Sequence, residues 1–344
     1  PLAIDFGSSN TTAGVYLDNT YFEELNGDPI TQILKRDKIN YVTHLDVEHD
    51  DAETLILPSV AAVIHIYGDQ VRYAFGHEAN RLFHMSYIDE GFCVFYDLKR
   101  WVGDVDRAEE LVDRQGHRSF APRKEIIRAY LEYVISCARQ RFKCNFKALH
   151  ISAPVKQKPM FIKLFQEVLP DYRLESENML DEGVAVLYNT ISELIEQKRY
   201  KDGQLYRALI IDCGGGTTDL SSCSFQITNQ RVAYKIDITT AYENGNTNFG
   251  GNNLTYRVMQ LLKLALAREL GGNGLPDPQE LISSFDVDVF RRVDRDGVAA
   301  VYADLDNAYH QAEEILPTRF REYEHSSRAD YYAVKNNFYF LFET

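Results

Sequence analysis

The sequence predicts an α/β protein in which two halves repeat one hairpin. Three observations carry this. "LAIDFGSSNTTAGVY" (2–16) and "LIIDCGGGTTDLS" (209–221) share one grammar: apolar strand, aspartate, glycine, small or hydroxyl residues, return strand. Strand-like and helix-like patterns alternate along the chain, as they do in α/β proteins. And 344 residues are too many for one compact core and enough for two domains or more.

Each element has its own signal. After the first hairpin, residues 57–75 read as short strands led in by Leu57-Pro58-Ser59. Residues 124–142 carry apolar side chains at helical spacing and predict a long helix. "ALHISAP" (148–154) predicts a strand ending at Pro154; "YRLESE" is strand-like, with helices over "KPMFIKLFQEVL" and "EGVAVLYNTISELIEQK" on either side. The apolar run Ala208-Leu209-Ile210-Ile211 predicts a short buried strand from Arg207 to Asp212, and Thr217 to Ser221 the start of its return strand. Residues 231–243 alternate like a strand. The chain then turns on Gly250-Gly251 into a helix, with Asn252 or Asn253 as its N-cap. "GGNGLPDPQE" predicts a loop, and 281–341 mixes helix-like stretches with charged turns.

Composition narrows the function classes. A net charge of −14 argues against a nucleic-acid-binding surface. No apolar stretch is long enough to span a bilayer, which argues against a membrane partner. Cys93, Cys137, Cys144, Cys213 and Cys223 form no C-x-x-C pair and read as reduced, mostly buried thiols of a cytoplasmic protein, with Cys213 a small buried residue of the glycine motif. The nine histidines are scattered, without metal-ligand spacing, and Trp101 reads as core. Pro1 without a Met is compatible with a trimmed start.

The chemistry concentrates in the two tips. Gly214, Gly215 and Gly216 permit positive φ and close approach, and a glycine tip gathers backbone N–H groups that suit phosphate oxygens. Asp212 and Asp219 would repel a phosphate unless a cation such as Mg²⁺, often held through water, lies between. Near the N-terminus, Asp5, Gly7, Ser8, Ser9, Thr11 and Thr12 repeat the pattern, so the two halves are expected to face one nucleotide. Neither a G-x-x-x-x-G-K-[ST] loop nor a helix-opening G-x-G-x-x-G is present. Taken singly, the second motif also reads as a tight hairpin with acidic flanks.

In this order and type, the motifs resemble the nucleotide-binding domain of heat-shock-70 (DnaK-type) chaperones, within the actin/sugar-kinase/chaperone ATPase superfamily. Asp5-Phe6-Gly7-Ser8-Ser9-Asn10 resembles the first phosphate loop, with serines where the family usually has threonines. Leu57-Pro58-Ser59-Val60, Phe75-Gly76-His77-Glu78-Ala79 and Tyr96-Asp97-Leu98-Lys99-Arg100-Trp101-Val102-Gly103 are similar to three further family segments, and Ser152-Ala153-Pro154-Val155 to its connecting strand end. Asp181-Glu182-Gly183 stands where the family has N-E-P, and Phe249-Gly250-Gly251-Asn252-Asn253 where it has L-G-G-x-D/N. The closest match is the second phosphate loop, Asp212 to Asp219. The likeness covers residues 1 to about 270. The family's adenosine motif and peptide-binding domain have no counterpart; Ala312-Glu313-Glu314-Ile315 is one candidate for its E-x-x-K step.

The resemblance implies a two-lobed actin-like ATPase fold of duplicated ribonuclease H-like domains. Its first lobe would span 1–154, with an insert-like subdomain over about 40–123, and its second 155–344, with an atypical, incomplete subdomain over about 272–344; breaks are expected near 154 and 205. It implies ATP or ADP with water-mediated Mg²⁺ at Asp5 and Asp212. Phosphates would be cradled by Gly7, Ser8, Ser9, Asn10, Gly214, Gly215, Gly216, Thr217, Gly250 and Gly251. Lys99 would reach the γ-phosphate, though Lys99-Arg100 also reads as a solvated pair; Glu182 and Asp219 would position water, though an acid at a helix start and a surface strand aspartate are the plainer readings. The implied reaction is slow ATP hydrolysis by in-line water attack, with client or co-chaperone proteins as partners. An actin-like assembly ATPase, a small-molecule kinase of the same fold and a nucleotide sensor with little hydrolysis stay open.

Overall fold

The computed structural model describes residues 1–25, 27–85, 91–175, 182–246, 249–270, 274–283 and 295–324. The chain is mixed α/β and divides into two compact units, Pro1–Gly251 and Asn252–Thr344. The first unit opens with β1 (Leu2–Phe6), β2 (Asn10–Leu17), α1 (Asn19–Glu24) and β3 (Lys38–Tyr41). It continues through β4 (His44–Asp46), β5 (Ala52–Thr54), β6 (Leu57–Pro58), β7 (Ala61–Tyr67), β8 (Gln70–Phe75), α2 (Gly76–Met85) and β9 (Val94–Phe95). A 3₁₀ turn at Leu98–Gly103 precedes β10 (Ala108–Val112), β11 (Arg118–Pro122), α3 (Arg123–Phe142), β12 (Ala148–Ile151), α4 (Lys158–Val168) and β13 (Arg173–Leu174). Then come α5 (Glu182–Glu196), β14 (Leu205–Cys213), β15 (Thr218–Asn229) and β16 (Tyr234–Asn246).

The largest sheet has the order β13-β12-β1-β2-β3, with β6 beside β2. β1 runs parallel to β12 and β12 to β13, whereas β2 is antiparallel to both β1 and β3. Alternation in β1 buries Leu2, Ile4 and Phe6 and leaves Ala3 and Asp5 on the other face. That buried face meets α3, whose Ile126, Tyr130, Leu131 and Val134 are at most 1% exposed, and α4 through Phe161 and Phe165. Each such side chain contributes about 1.5–3 kcal/mol over its exposed state.

β14, β15 and β16 form a separate antiparallel sheet. Cys223, Phe225 and Ile227 of β15 and Ile210 of β14 pack on Leu187 and Ile191 of α5. The expected burial of β14 is therefore half right. Its strand forms, but Leu209 is 67% and Ile211 64% exposed, because only one face of this sheet is covered by a helix among the described residues. Cys213, expected to be buried, is exposed for the same reason. No described helix is long and apolar enough to cross a membrane.

The second unit continues α6 (Gly251–Glu269), then α7 (Pro278–Ser283) and α8 (Arg295–Glu324). Leu264 and Ala267 of α6 pack with Leu305, Ala308, Ala312 and Leu316 of α8. α6 starts at Gly251, so Asn252 and Asn253 lie in its first turn rather than at its cap. Of the expected loop 271–280, Gly271 to Asn273 lie outside the described residues, and Pro278 to Glu280 open α7 instead. Pro fits the first helical turn, which needs no N–H there. Much of 281–341 also lies outside the described residues, and α8 replaces its mixed pattern over 295–324. Glu313 of the E-x-x-K candidate bonds Lys263 and Tyr309 within this unit.

Candidate functional site

Both hairpin tips are closed by the same bond. Gly7 N–H donates to Asn10 O at 3.0 Å, and Gly214 N–H to Thr217 O at 2.9 Å. The acids before them, Asp5 and Asp212, hold corresponding positions, opposite Thr12 and Asp219 on the return strands. A Cβ on Gly7 would lie 2.3 Å from the Asn10 carbonyl oxygen, so any side chain there forces the tip to shift.

Neighbouring segments brace each tip. Ser59, fully buried after β6, donates its hydroxyl to Gly7 O at 2.8 Å and its N–H to Ser9 O at 2.8 Å. This is the local purpose of the Leu57-Pro58-Ser59 motif. Behind the second tip, Gly251 N–H donates to Gly214 O at 2.9 Å and Thr218 Oγ1 to Phe249 O at 2.9 Å. A Cβ on Gly250 would sit 2.5 Å from Gly214 O and Gly215 C. The Gly250-Gly251 turn thus supports the glycine tip from behind. The tips also approach each other: a Cβ on Gly216 would lie 2.7 Å from Ser8 Oγ.

The tips open on a cavity of about 760 Å³ lined by Asp5, Gly7, Ser8, Ser9, Asn10, Lys99, Glu182, Asp212, Gly214, Gly215 and Thr217. That volume falls in the range of small-molecule sites. Gly216, Asp219, Gly250 and Gly251 do not line it. Ser152, unremarked in the sequence as a site residue, donates to Asp5 Oδ1 at 2.8 Å from the end of β12. Asn189 and Ser192 of α5 and Ile39 and Tyr41 of β3 also line the cavity, although no local motif marks them.

Lys99 is not a solvated surface residue. It is 5% exposed on its 3₁₀ turn, and its ammonium pairs with the Glu182 carboxylate at the start of α5. Asp97, which opens the turn, adopts φ 54°. Asp219 is likewise buried, at 5% exposure, rather than on the surface. Burial pushes the Glu182 carboxyl up from its ordinary value, the nearby charges of Asp5 and Asp219 add to that, and Lys99 pulls the other way. Asp181, its neighbour in the motif, lies outside the described residues. Three carboxylates (Asp5, Glu182, Asp212) against one ammonium leave the cavity lining with a formal excess of two negative charges. Such a lining could hold a hard divalent cation, and the hydroxyls of Ser8, Ser9 and Thr217 could serve oxygen-rich ligands beside it. No protein-family model matches this chain, and no curated protein does either.

Proposed function

We propose that this chain binds ATP or ADP with Mg²⁺ between its two hairpin tips and acts as a heat-shock-70-like ATPase module. The observation that carries the reading is that both tips, each with its own acid, line the cavity that also holds the Lys99–Glu182 pair. The sheet order β13-β12-β1-β2-β3, parallel on one side of β1 and antiparallel on the other, supports a ribonuclease H-like first half. β14–β16 would begin the second half, and a two-lobed actin-like fold with breaks near 154 and 205 belongs to this reading.

The residues suit the roles. Asp5, oriented by Ser152, and Asp212 would hold the metal from two sides through water, since Mg²⁺ keeps much of its hydration. Bound Mg²⁺ would neutralise phosphate charge. Ser8, Ser9, Asn10, Gly214, Gly215 and Thr217 would bind phosphate oxygens, and Gly216, Gly250 and Gly251 would shape the second tip. Lys99 would stabilise charge on the transferred phosphoryl group, while Glu182 and Asp219 would orient the attacking water. Client or co-chaperone proteins are the partners this reading expects.

Calorimetry of ATP and ADP with and without Mg²⁺ tests it. Mg²⁺-dependent binding, weakened at least tenfold in Asp212→Asn, is expected; binding indifferent to Mg²⁺ and to Asp212 would refute it. A nucleotide sensor with little hydrolysis is the second reading. It is favoured by the Lys99–Glu182 pair, which engages the ammonium with a carboxylate. Single-turnover hydrolysis separates the two.

A further inference from the structure

A second chemical cluster lies on different elements. Asp113 follows β10 at the tip of the β10–β11 hairpin and is fully buried. Its Oδ1 accepts the N–H groups of Gln115 and His117, both at 2.9 Å. Its Oδ2 accepts three bonds: Ile66 N–H at 3.0 Å, His65 Nδ1 at 3.0 Å and His117 Nδ1 at 2.9 Å. His65 and Ile66 belong to β7, so the carboxylate joins the hairpin tip to a strand far away in the chain.

The donor count is the informative part. A carboxylate oxygen offers about two lone-pair positions, and Oδ2 faces three donors. Backbone N–H groups alone already supply three of the five bonds to this buried carboxylate. Two imidazoles converging on one oxygen exceed what neutralising it requires. The same convergence is what a cation needs: one ligand atom from each of the three residues lies within 4.8 Å of the other two. Tetrahedral zinc with bonds of about 2.0–2.1 Å separates its ligand atoms by roughly 3.3 Å. The observed 2.9 and 3.0 Å separations need open by only a few tenths of an ångström.

We infer that His65, Asp113 and His117 form a site for a borderline divalent metal of the zinc class, which staples the β10–β11 tip to β7. The metal would take His65 Nδ1, His117 Nδ1 and Asp113 Oδ2. Each neutral ring would move its proton from Nδ1 to Nε2, so binding by neutral rings releases no proton. Imidazole ligands select zinc, cobalt, nickel or copper over magnesium. His117 is 57% exposed at its side chain, which leaves the site accessible to water as a fourth ligand. None of the three residues lines the cavity between the hairpin tips, so this site is separate from the proposed nucleotide site.

The test is a titration of the full chain, freed of metal by chelation, with CoCl₂ and then ZnCl₂. One equivalent of Co²⁺ with the intense visible bands of four-coordinate nitrogen and oxygen ligation, displaced by Zn²⁺, is expected without nucleotide. His117→Ala, at an exposed position that leaves the backbone bond to Asp113 in place, should bind at least tenfold more weakly and lose the bands. His65→Gln should do the same, and both variants should keep Mg²⁺-dependent nucleotide binding. If wild type takes up no stoichiometric Co²⁺, or if His117→Ala binds it with unchanged affinity and spectrum, the site does not exist and the two rings serve only to neutralise Asp113.

Discussion

The hairpins β1–β2 and β14–β15 follow one local plan and differ in their surroundings. Ile4 and Ile211 each precede the motif aspartate, yet Ile4 is 2% exposed and Ile211 64%. β1 is flanked by β12 and β2 in a sheet whose one face is sealed by α3 and α4. Among the described residues β14 is an edge strand, and its sheet meets α5 on the face opposite Leu209 and Ile211. A tip is thus specified by residues within the hairpin, whereas strand burial is specified by residues far away in the chain. The chain after the third strand also differs between the two sheets. β3 leads into the stretch that carries β4 to β11, while β16 leads to Gly250-Gly251 and α6.

The largest expected difference comes from the paired isoleucines. Ile4→Ala should cost about 2–5 kcal/mol in urea unfolding, as buried truncations do. Ile211→Ala should stay within about 0.5 kcal/mol. Equal losses would break the comparison and mean that the second sheet has a cover on both faces in solution.

Lys99→Ala probes what the hairpins share, the cavity between them. On the proposed ATPase reading, single-turnover ATP hydrolysis should fall about a hundredfold, or roughly 3 kcal/mol, with nucleotide affinity nearly unchanged. A parallel loss of affinity would assign Lys99 to the ground-state phosphates. An unchanged rate would favour the sensor reading.

His44, in β4, supplies an acid-sensitive element of the first unit. Burial, helped by the charge of His77, lowers the His44 pKa to about 4. A depressed histidine stabilises the fold fully above its unfolded value near 6.5, and that contribution drains away as pH falls toward 4. Its full size is of the order of 3 kcal/mol. His44→Gln should flatten this part of a stability profile measured by denaturant titration between pH 7 and 4. An unchanged slope would show that His44 titrates normally.

The smallest effect separates the two tips themselves. Gly7→Ala forces a Cβ against backbone 2.3 Å away, whereas at Gly214 the nearest atom is 3.5 Å off. Gly7→Ala should cost about 1–3 kcal/mol, as overpacking does, and Gly214→Ala less than 1 kcal/mol. Thermal unfolding of the two variants would show whether the tips are as unlike as this spacing implies.

Local patterns determined both hairpins, the long helix Arg123–Phe142 and most strands of the first unit, because alternation, apolar periodicity and glycine turns act over a few residues. They also marked eight residues that line the cavity, Asp5 to Ser9 and Asp212 to Thr217, through the spacing of acids, glycines and hydroxyls around the tips, while Asn10, Lys99 and Glu182 were marked only by the family resemblance. What they could not determine was anything set by distant chain. The apolar run of β14 reads as buried because hydrophobicity says which residues can be covered, not which strand or helix arrives to cover them. Lys99-Arg100 reads as a solvated pair until Glu182, 83 positions away, is brought against Lys99. Ser152 gains its role only when β12 lies parallel to β1, and Asp113 meets His65 only when the hairpin tip packs on β7. Those contacts depend on strand order and sheet packing, which rest on long-range complementarity between surfaces, and so they were decided by the tertiary structure alone.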